Sequence, residues 1–381
     1  MIRRITIAFI CTLLLQTAVA QVKNKTLLFI GSFTGGKPDT GIYVYELNTS
    51  TGKLTHRSTV EKITNPSYLT VSPNGRFLYA CTDTKLPHNG SITAFSIDSI
   101  NGKLSFINKQ SSGGENPVYI TVHKNNRFVA AGNYTGGSVV VLTANSDGSI
   151  NPFSQLIQFS DSGINKVRQE KAHIHSTVFS PGNDFLFLPD LGADKIRVFR
   201  FNAKHVKPLT AFTNYFVTTT PGSGPRHFTF HPNGKFAYCI EELGGTVAAY
   251  RYRNGKLDSI QRIFSYSKKL EAYTSADIHI SPDGLFLYAS NRGTEENTIS
   301  IFSIDQTNGK LALVGHQKTD GDHPRNFCID PTGNFLLVAN QFTGNVVVFK
   351  RDAFTGLLTK TGTELNIPGA SCLQIRTYKT R

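Results

Sequence analysis

The sequence HPNGKFAY, at residues 231–238, decides the fold of this chain because variants of it recur along the whole length. We take the proline of each copy as its anchor, or Lys124 in one degenerate copy. The anchors fall at positions 73, 124, 181, 232, 282 and 331, and the gaps between them are 51, 57, 51, 50 and 49 residues. A period of about 50 residues is typical of propellers and related repeat architectures.

Each copy contains signals for four β-strands. Around the anchor at position 232, an alternating strand at 227–230 precedes a Pro-Asn-Gly turn, and a second strand follows at 236–240. A third strand at 246–252 leads to an Asn-Gly-Lys-Leu turn at 254–257, after which a fourth begins. Proline, asparagine and glycine suit such tight turns, and four strands per repeat describe one propeller blade.

The two chain ends supply a further blade. Residues 27–33 match the second strand of a blade without a first strand before them, and residues 371–375 match a first strand without a second. Joined, they complete a seventh blade and close the ring, which protects the sheet edges. The sequence therefore predicts an all-β, seven-bladed β-propeller whose closing blade is shared between N- and C-terminal strands.

The N-terminus has the pattern of a secretory signal peptide. Arg3 and Arg4 precede an apolar run at 5–15, and Ala18 and Ala20 form a small-x-small cleavage site. We expect residues 1–20 to be removed, residues 21–381 to form a single seven-bladed β-propeller domain, and the protein to be exported, either periplasmic or secreted. No other stretch is long and apolar enough for an integral membrane segment in the mature chain.

The net charge indicates which kinds of partner to expect, and the cysteines indicate the redox state of the thiols. The net charge is +14, which favours an anionic small molecule. No nucleic acid is expected, because the basic residues are scattered and no binding motif is present. The sequence leaves the oligomeric state open. The mature chain keeps four cysteines, each within an apolar run, and buried free thiols are expected rather than disulfides; they are Cys81, Cys239, Cys328 and Cys372.

The repeat locates a candidate site without any motif. Residues six before and ten after each anchor should lie at the same end of their hairpins, around one mouth of the central channel. The first set is Ser67, Val118, His175, Arg226, Ala276 and Arg325. The second set is Asp83, Tyr134, Leu191, Glu242, Arg292 and Gln341. Histidine can serve as acid or base near neutral pH, and arginine can bind a carboxylate or phosphate. A purely structural network of ion pairs between blades would place the same residue types at these positions.

Several segments resemble a known family. The run GPRHFTFHPNG at 224–234, with Glu242 downstream, is similar to the seven-bladed lactonase family typified by bacterial 6-phosphogluconolactonase, which also includes carboxy-muconate lactonising enzymes. The resemblance implies a catalytic set of His175, Arg226, Arg292 and Glu242. One departure is Glu241, where the family usually has asparagine.

The resemblance implies a carboxylic ester hydrolase that opens a sugar lactone to its aldonic acid without metal or cofactor. His175 or Glu242 would be the base. Further substrate-binding residues are predicted to be Arg325, His227, Asp83 and Tyr134. Because phosphorylated lactones are cytoplasmic metabolites, an exported relative is expected to use a different, unphosphorylated lactone. Alternatives are a non-catalytic propeller that binds an anionic sugar or protein partner, and a muconate-type lactonising isomerase.

Overall fold

A computed structural model describes residues 23–380, and the predicted signal peptide at 1–20 lies outside this range. Within the described residues every regular element is a β-strand. Seven antiparallel sheets of four strands each form the blades, and one short two-stranded ribbon accompanies them. This arrangement confirms the predicted seven-bladed propeller. The same range contains no helix long and apolar enough to cross a membrane.

The strands follow in chain order through the ring. Blade 1 contains β1 (Lys23–Ser32), β3 (Ile42–Leu47) and β4 (Leu54–Val60). The two-stranded ribbon consists of β2 (Pro38–Asp39) and β5 (Ile63–Thr64). Blade 2 contains β6 (Tyr68–Val71), β7 (Phe77–Thr82), β8 (Asn89–Asp98) and β9 (Lys103–Glu115). Blade 3 contains β10 (Pro117–Val122), β11 (Phe128–Asn133), β12 (Ser138–Ala144) and β13 (Ile150–Gln158).

The remaining blades repeat this order. Blade 4 contains β14 (Val178–Phe179), β15 (Phe185–Asp190), β16 (Lys195–Phe201) and β17 (Leu209–Thr218). Blade 5 contains β18 (Pro225–Phe230), β19 (Phe236–Glu241), β20 (Thr246–Arg253) and β21 (Lys256–Phe264). Blade 6 contains β22 (Ile278–Ile280), β23 (Phe286–Asn291), β24 (Thr298–Ile304) and β25 (Leu311–Lys318). Blade 7 contains β26 (Pro324–Ile329), β27 (Phe335–Asn340), β28 (Asn345–Arg351) and β29 (Leu358–Asn366), and β30 (Ala370–Thr380) ends the chain.

The two chain ends meet in blade 1. Strand β30 is the innermost strand of that sheet and pairs antiparallel with β1, so that Leu28 lies opposite Ile375 and Ile30 opposite Leu373. The C-terminal strand therefore takes the place that β6, β10 or β18 takes in the other blades. The prediction that the termini share the closing blade is confirmed, and the chain passes from β29 of blade 7 into β30 of blade 1, which closes the ring.

Burial explains why the second strand of each blade is so apolar. Every residue of β19, with the sequence FAYCIE, is buried, whereas the outermost strand β21 has one buried residue, Leu257, and is otherwise exposed or half-buried. A strand with neighbouring blades on both faces must be apolar on both, while an outer strand meets water on one side. Apolar clusters accordingly fill the spaces between blades, as Phe187 of blade 4 and Phe228 of blade 5 show by stacking 5.4 Å apart.

The four described cysteines are free and buried, as predicted; they are Cys81, Cys239, Cys328 and Cys372. Burial raises the pKa of each thiol, so the reactive thiolate form is disfavoured. These side chains act as small core groups of the blades.

Candidate active site

The first strand of each blade lies innermost, so one mouth of the channel is lined where these strands begin and the second strands end. In blade 5, Gly224 precedes β18 with a left-handed φ of 61°. Its carbonyl accepts a hydrogen bond of 2.7 Å from the amide of Glu242, the residue directly after β19. This turn holds the backbone of Glu242 beside Arg226, the second residue of β18. We call the cluster centred on His175, Arg226, Glu242 and Arg292 the mouth site.

Four buried side chains from blades 4, 5 and 6 form the centre of the mouth site. Nη1 of Arg226 lies 3.0 Å from Oε2 of Glu242, and Nη2 of Arg292 lies 3.3 Å from the same oxygen. Nη1 of Arg226 also contacts Nε2 of His175. Each arginine is anchored by a backbone carbonyl, Arg226 Nε by Ala276 at 2.8 Å and Arg292 Nε by Thr274 at 2.6 Å. The structure thus brings together the four residues that the family resemblance implied.

The electrostatics of the mouth site keep Glu242 ionised and His175 neutral. Burial alone would raise the pKa of Glu242, but Arg226, Arg292 and Arg168 lower it to about 2. Burial, followed by the charges of Arg226 and other neighbours, holds the pKa of His175 well below its usual value. At neutral pH the site therefore contains a carboxylate that binds protons weakly and an imidazole without charge.

Arg168 belongs to the mouth site although sequence reasoning missed it. Its Nη2 lies 2.6 Å from Oε1 of Glu242 and 3.5 Å from the hydroxyl of Tyr134. The residue lies in the connection between β13 and β14, where Asn165 accepts the amide of Arg168 at 3.1 Å. The signal was the gap of 57 residues between two anchors, which marks an insertion in blade 4. Since this insertion has no counterpart in the other repeats, counting from anchors could not place it.

Two further cations flank an aromatic ring of blade 1. Lys85 Nζ lies 4.1 Å from the centroid of Phe33, and the guanidinium of Arg325 lies 5.1 Å from it. Among the described residues neither cation forms an ion pair, and Arg325 has only a long contact of 3.5 Å to Gln341. Desolvation and the charges of Arg325 and other arginines lower the pKa of Lys85 to about 8. We call Lys85 and Arg325 the cation pair, and Phe33 is the ring that both of them contact.

Tyr134 forms one wall of the mouth site. Its ring stacks on His173 with centroids 4.3 Å apart and meets His175 edge-on at 5.2 Å. His173 is in turn bonded to the carbonyl of Tyr134 at 2.9 Å and to Glu170 at 3.1 Å. Tyr134 therefore limits where His175 can move.

The structure places Asp83 outside the predicted substrate-binding set. Its carboxylate forms an ion pair with Lys109 on β9, the outer strand of blade 2, instead of joining the arginines. Asp83 has a φ of 53° and Lys85 a φ of 57°. Counting from the anchor assumes extended backbone, and these left-handed residues break that assumption. The chain turns so that Lys85, two residues later, enters the mouth site in place of Asp83.

His227 also lies elsewhere than the prediction placed it. It is 4% exposed, and its ring lies beneath the mouth site, with edge-on contacts to Tyr119 at 5.2 Å and His175 at 5.3 Å. Its position on β18 directly after Arg226 puts it one residue deeper in the channel. The predicted substrate contact of His227 therefore stays a prediction, for a ring that lies one layer below the open mouth.

Glu241, the departure from the family pattern, points away from the channel. Its carboxylate lies 2.5 Å from Nε of Arg262 on β21 and 2.5 Å from the hydroxyl of Thr246. Adjacent strand residues face opposite sides, so the second carboxylate is neutralised inside blade 5 and does not repel Glu242.

Within residues 23–380, no group of three or more His, Cys, Asp or Glu side chains is arranged as metal ligands. His173 and His175, two residues apart, are instead engaged with Glu170 and Arg226.

A closed seven-bladed ring with a buried His, Glu and arginine cluster at one mouth defines a propeller of the lactone-hydrolysing class. A family model described as "Lactonase, 7-bladed beta-propeller" matches residues 27–375. The chain belongs to this seven-bladed β-propeller lactonase family.

Named relatives cover nearly the whole chain. A 6-phosphogluconolactonase of Formosa agariphila is 49% identical over 92% of this chain and 99% of its own. A 6-phosphogluconolactonase of Bacillus subtilis is 34% identical over 92% of this chain and 98% of its own. The solved structure of the Pseudomonas aeruginosa periplasmic gluconolactonase PpgL superposes with a TM-score of 0.86 at 33% identity, and covers 93% of this chain and 99% of that one.

Proposed function

We propose that this protein is a lactonase that hydrolyses a sugar lactone to its aldonic acid at the mouth site. The observation that carries the proposal is the convergence of Arg226 and Arg292 on one carboxylate beside a neutral His175. Relatives along the whole chain named 6-phosphogluconolactonase and gluconolactonase support the same reaction class.

The arginines supply the electrostatic part of the reaction. Attack of water on a lactone carbonyl places negative charge on the carbonyl oxygen, and fixed donors aimed at that oxygen lower the barrier. Nη1 of Arg226 and Nη2 of Arg292 both lie within 3.3 Å of Oε2 of Glu242, so they already point to one place. Glu242 keeps them there and offsets part of their charge.

The carboxylate of Glu242 is poorly placed to act as the base. Arg168 holds its Oε1, Arg226 and Arg292 hold its Oε2, and these arginines lower its pKa to about 2 against the effect of burial. The imidazole of His175 is uncharged at neutral pH and can accept a proton. When Nη1 of Arg226 turns to the lactone oxygen, it leaves Nε2 of His175 open to the attacking water. We assign the base to His175 on this ground.

Isotope incorporation tests hydrolysis against the other functions of this site. In H2¹⁸O, hydrolysis at the acyl carbon places one ¹⁸O in the product carboxylate, at an initial rate that rises with protein concentration above spontaneous opening. We expect this result with glucono-lactones. Rearrangement of a lactone without label would indicate an isomerase, and a bound but unchanged lactone would indicate a binding protein. Either outcome contradicts the proposal.

The cation pair supports a substrate that carries an anionic substituent. Arg168, Arg226 and Arg292 contact Glu242. Lys85 and Arg325 flank Phe33, and Arg325, Arg292 and Arg226 lie close enough to Lys85 to add to the effect of desolvation in lowering its pKa. Since Lys85 and Arg325 have no carboxylate partner among the described residues, a phosphate or carboxylate of the substrate would complete them. This favours a phosphorylated lactone over a neutral one, against the expectation that an exported relative uses an unphosphorylated lactone.

We predict that Lys85→Met raises the KM for 6-phosphoglucono-lactone about tenfold and leaves the KM for glucono-lactone unchanged. One ion-paired contact of this kind accounts for roughly 1.4 kcal/mol. Steady-state kinetics of both lactones measure the effect, and Lys53→Met, an exposed lysine of a blade 1 turn, is the matched control. Equal changes for the two lactones would remove the phosphate from the proposal.

We also propose export, on the basis of the leader pattern at residues 1–20 and of the periplasmic relative. The expected result in a bacterial host is a mature chain that begins at Gln21 and is recovered outside the cytoplasm. Intact mass and N-terminal sequencing of fractionated cells measure it. A protein that retains Met1 and stays in the cytoplasm would overturn this part of the proposal.

A further inference from the structure

A second ring of side chains lies directly beneath the mouth site. It consists of the residues one position further along each innermost strand, namely Tyr68, Tyr119, Ser176, His227, Asp277, Asn326 and Cys372. Tyr68 and Tyr119 stack with centroids 4.2 Å apart, and both meet His227 edge-on. These contacts make the ring the floor of the site.

Asp277 organises one side of this floor. It is 1% exposed, and its carboxylate accepts hydrogen bonds from Nδ1 of His227 at 2.7 Å and Nε2 of His279 at 2.9 Å. The side chain of Asn326 and the amide of Phe327 donate to it as well. An ionised carboxylate only accepts. Nδ1 of His227 therefore carries a proton, and Nε2 of a neutral His227 presents a lone pair.

Nε2 of His227 is a buried polar atom without a hydrogen-bond partner among the described residues. Burial lowers the pKa of His227 to about 4, despite the opposing effect of Asp277, so the ring is neutral and this nitrogen can only accept. An unpaired buried acceptor of this kind costs free energy and needs an explanation in a native structure.

His175 offers the complementary donor. Because a guanidinium donates and never accepts, the contact of Arg226 Nη1 requires a lone pair on Nε2 of His175. The proton of a neutral His175 is then on Nδ1. The two imidazole rings lie with centroids 5.3 Å apart and are inclined by 64°. At this separation one nitrogen of each ring can reach hydrogen-bond distance when the two nitrogens are turned towards each other.

We propose that His227 and Asp277 are positioning residues for the reaction: His227 accepts Nδ1–H of His175, and Asp277 holds His227. The inference rests on the proposed lactonase function. It assigns to the pair the role of fixing the tautomer of His175 and of stabilising the imidazolium that forms when His175 takes a proton, as carboxylates behind catalytic or metal-bound histidines do.

The proton balance of the step is complete within this array. The water oxygen bonds to the lactone carbon while its proton passes to Nε2 of His175, and Arg226 and Arg292 hold the resulting oxyanion. The carbon–oxygen bond of the ring then breaks, and the ring oxygen takes that proton from Nε2. The product acid ionises in solvent. His227 keeps its proton on Nδ1 throughout, beside Asp277.

Nitrogen NMR of the unmodified protein tests the array without any turnover. With ¹⁵N-labelled histidine at neutral pH, we expect His175 and His227 both in the Nδ1–H tautomer, with resonances assigned through His175→Gln and His227→Gln. In Asp277→Asn, His227 is expected to lose this single tautomer. Observation of Nε2–H on His175 or on His227 in the unmodified protein would overturn the inference.

Kinetics separate positioning from a structural role. We expect kcat to fall about 10- to 100-fold in Asp277→Asn, with KM unchanged. Asp330→Asn, which changes a buried carboxylate that accepts backbone amides in the turn of blade 7 outside the mouth site, is expected to keep both constants. An unchanged kcat in folded Asp277→Asn, or an equal loss in folded Asp330→Asn, would contradict the inference. If the unmodified protein opens no lactone, the proposed function fails, whereas the tautomers still decide whether the array exists.

Discussion

Arg226→Gln is expected to lower kcat for lactone hydrolysis by about 100- to 1,000-fold, the usual effect of removing one donor from a developing oxyanion. Arg226 is 2% exposed and its Nη1 lies between His175 and Glu242. Glutamine can keep a hydrogen bond to the carbonyl of Ala276, but it lacks the charge and the reach of the guanidinium. Stopped or continuous assays of acid release, corrected for spontaneous opening, measure the loss.

Arg253→Ala is the matched control, because Arg253 is an exposed residue at the end of β20 in the same blade. It removes an equal charge from the protein without touching the mouth site. The two variants are compared after circular dichroism shows that both are folded. Similar activities for Arg226→Gln and the unmodified protein would mean that the mouth site does not perform the reaction.

Glu242→Gln is expected to destabilise the protein by about 3 kcal/mol, the lower end of the cost of leaving buried charges without their partner. Glu242 is 3% exposed, and three arginines depend on its carboxylate; they are Arg168, Arg226 and Arg292. Thermal and urea unfolding measure the difference. Glu295→Gln, which breaks an exposed pair with Lys268, is expected to cost less than about 1 kcal/mol.

The effect of Glu242→Gln should depend on pH in a defined direction. The arginines lower the folded-state pKa of Glu242 to about 2 against the opposing effect of burial, while an unfolded chain has a glutamate pKa of about 4.3. The stabilisation by the ionised carboxylate is therefore complete above the unfolded value and is lost as the pH falls through the folded value. The two proteins should differ fully above about pH 4.3 and converge only as the pH falls below about 2. A difference that persists at low pH, or its absence at neutral pH, would contradict this account of the site.

The repeat allowed the fold to be predicted from the sequence. Each anchor marks one hairpin, and the incomplete strands at residues 27–33 and 371–375 show how the ring closes, since an unpaired strand at each end can only be completed by the other. The same periodicity located Arg226, near the start of β18, and Glu242 and Arg292, each directly after the second strand of its blade.

The sequence could not give the parts of the site that depart from the repeat. Asp83 turns aside at a left-handed residue, which brings in Lys85. Arg168 comes from an insertion of blade 4 and reaches Glu242 across the mouth. His227 occupies the layer below, because a shift of one residue along the strand changes depth as well as direction. A left-handed turn, an insertion and a step of one residue along a strand decided these three cases, and the positions counted from the anchors account for none of them.

The most direct test of the central claim is a pH-stat assay of residues 21–381 with 6-phosphoglucono-lactone, beside Arg226→Gln and Arg253→Ala. The account predicts acid release above the spontaneous rate, in proportion to protein concentration, that is lost in Arg226→Gln and kept in Arg253→Ala. No release above the spontaneous rate from folded protein, or full activity in Arg226→Gln, would contradict the claim that the mouth site is a lactonase active site.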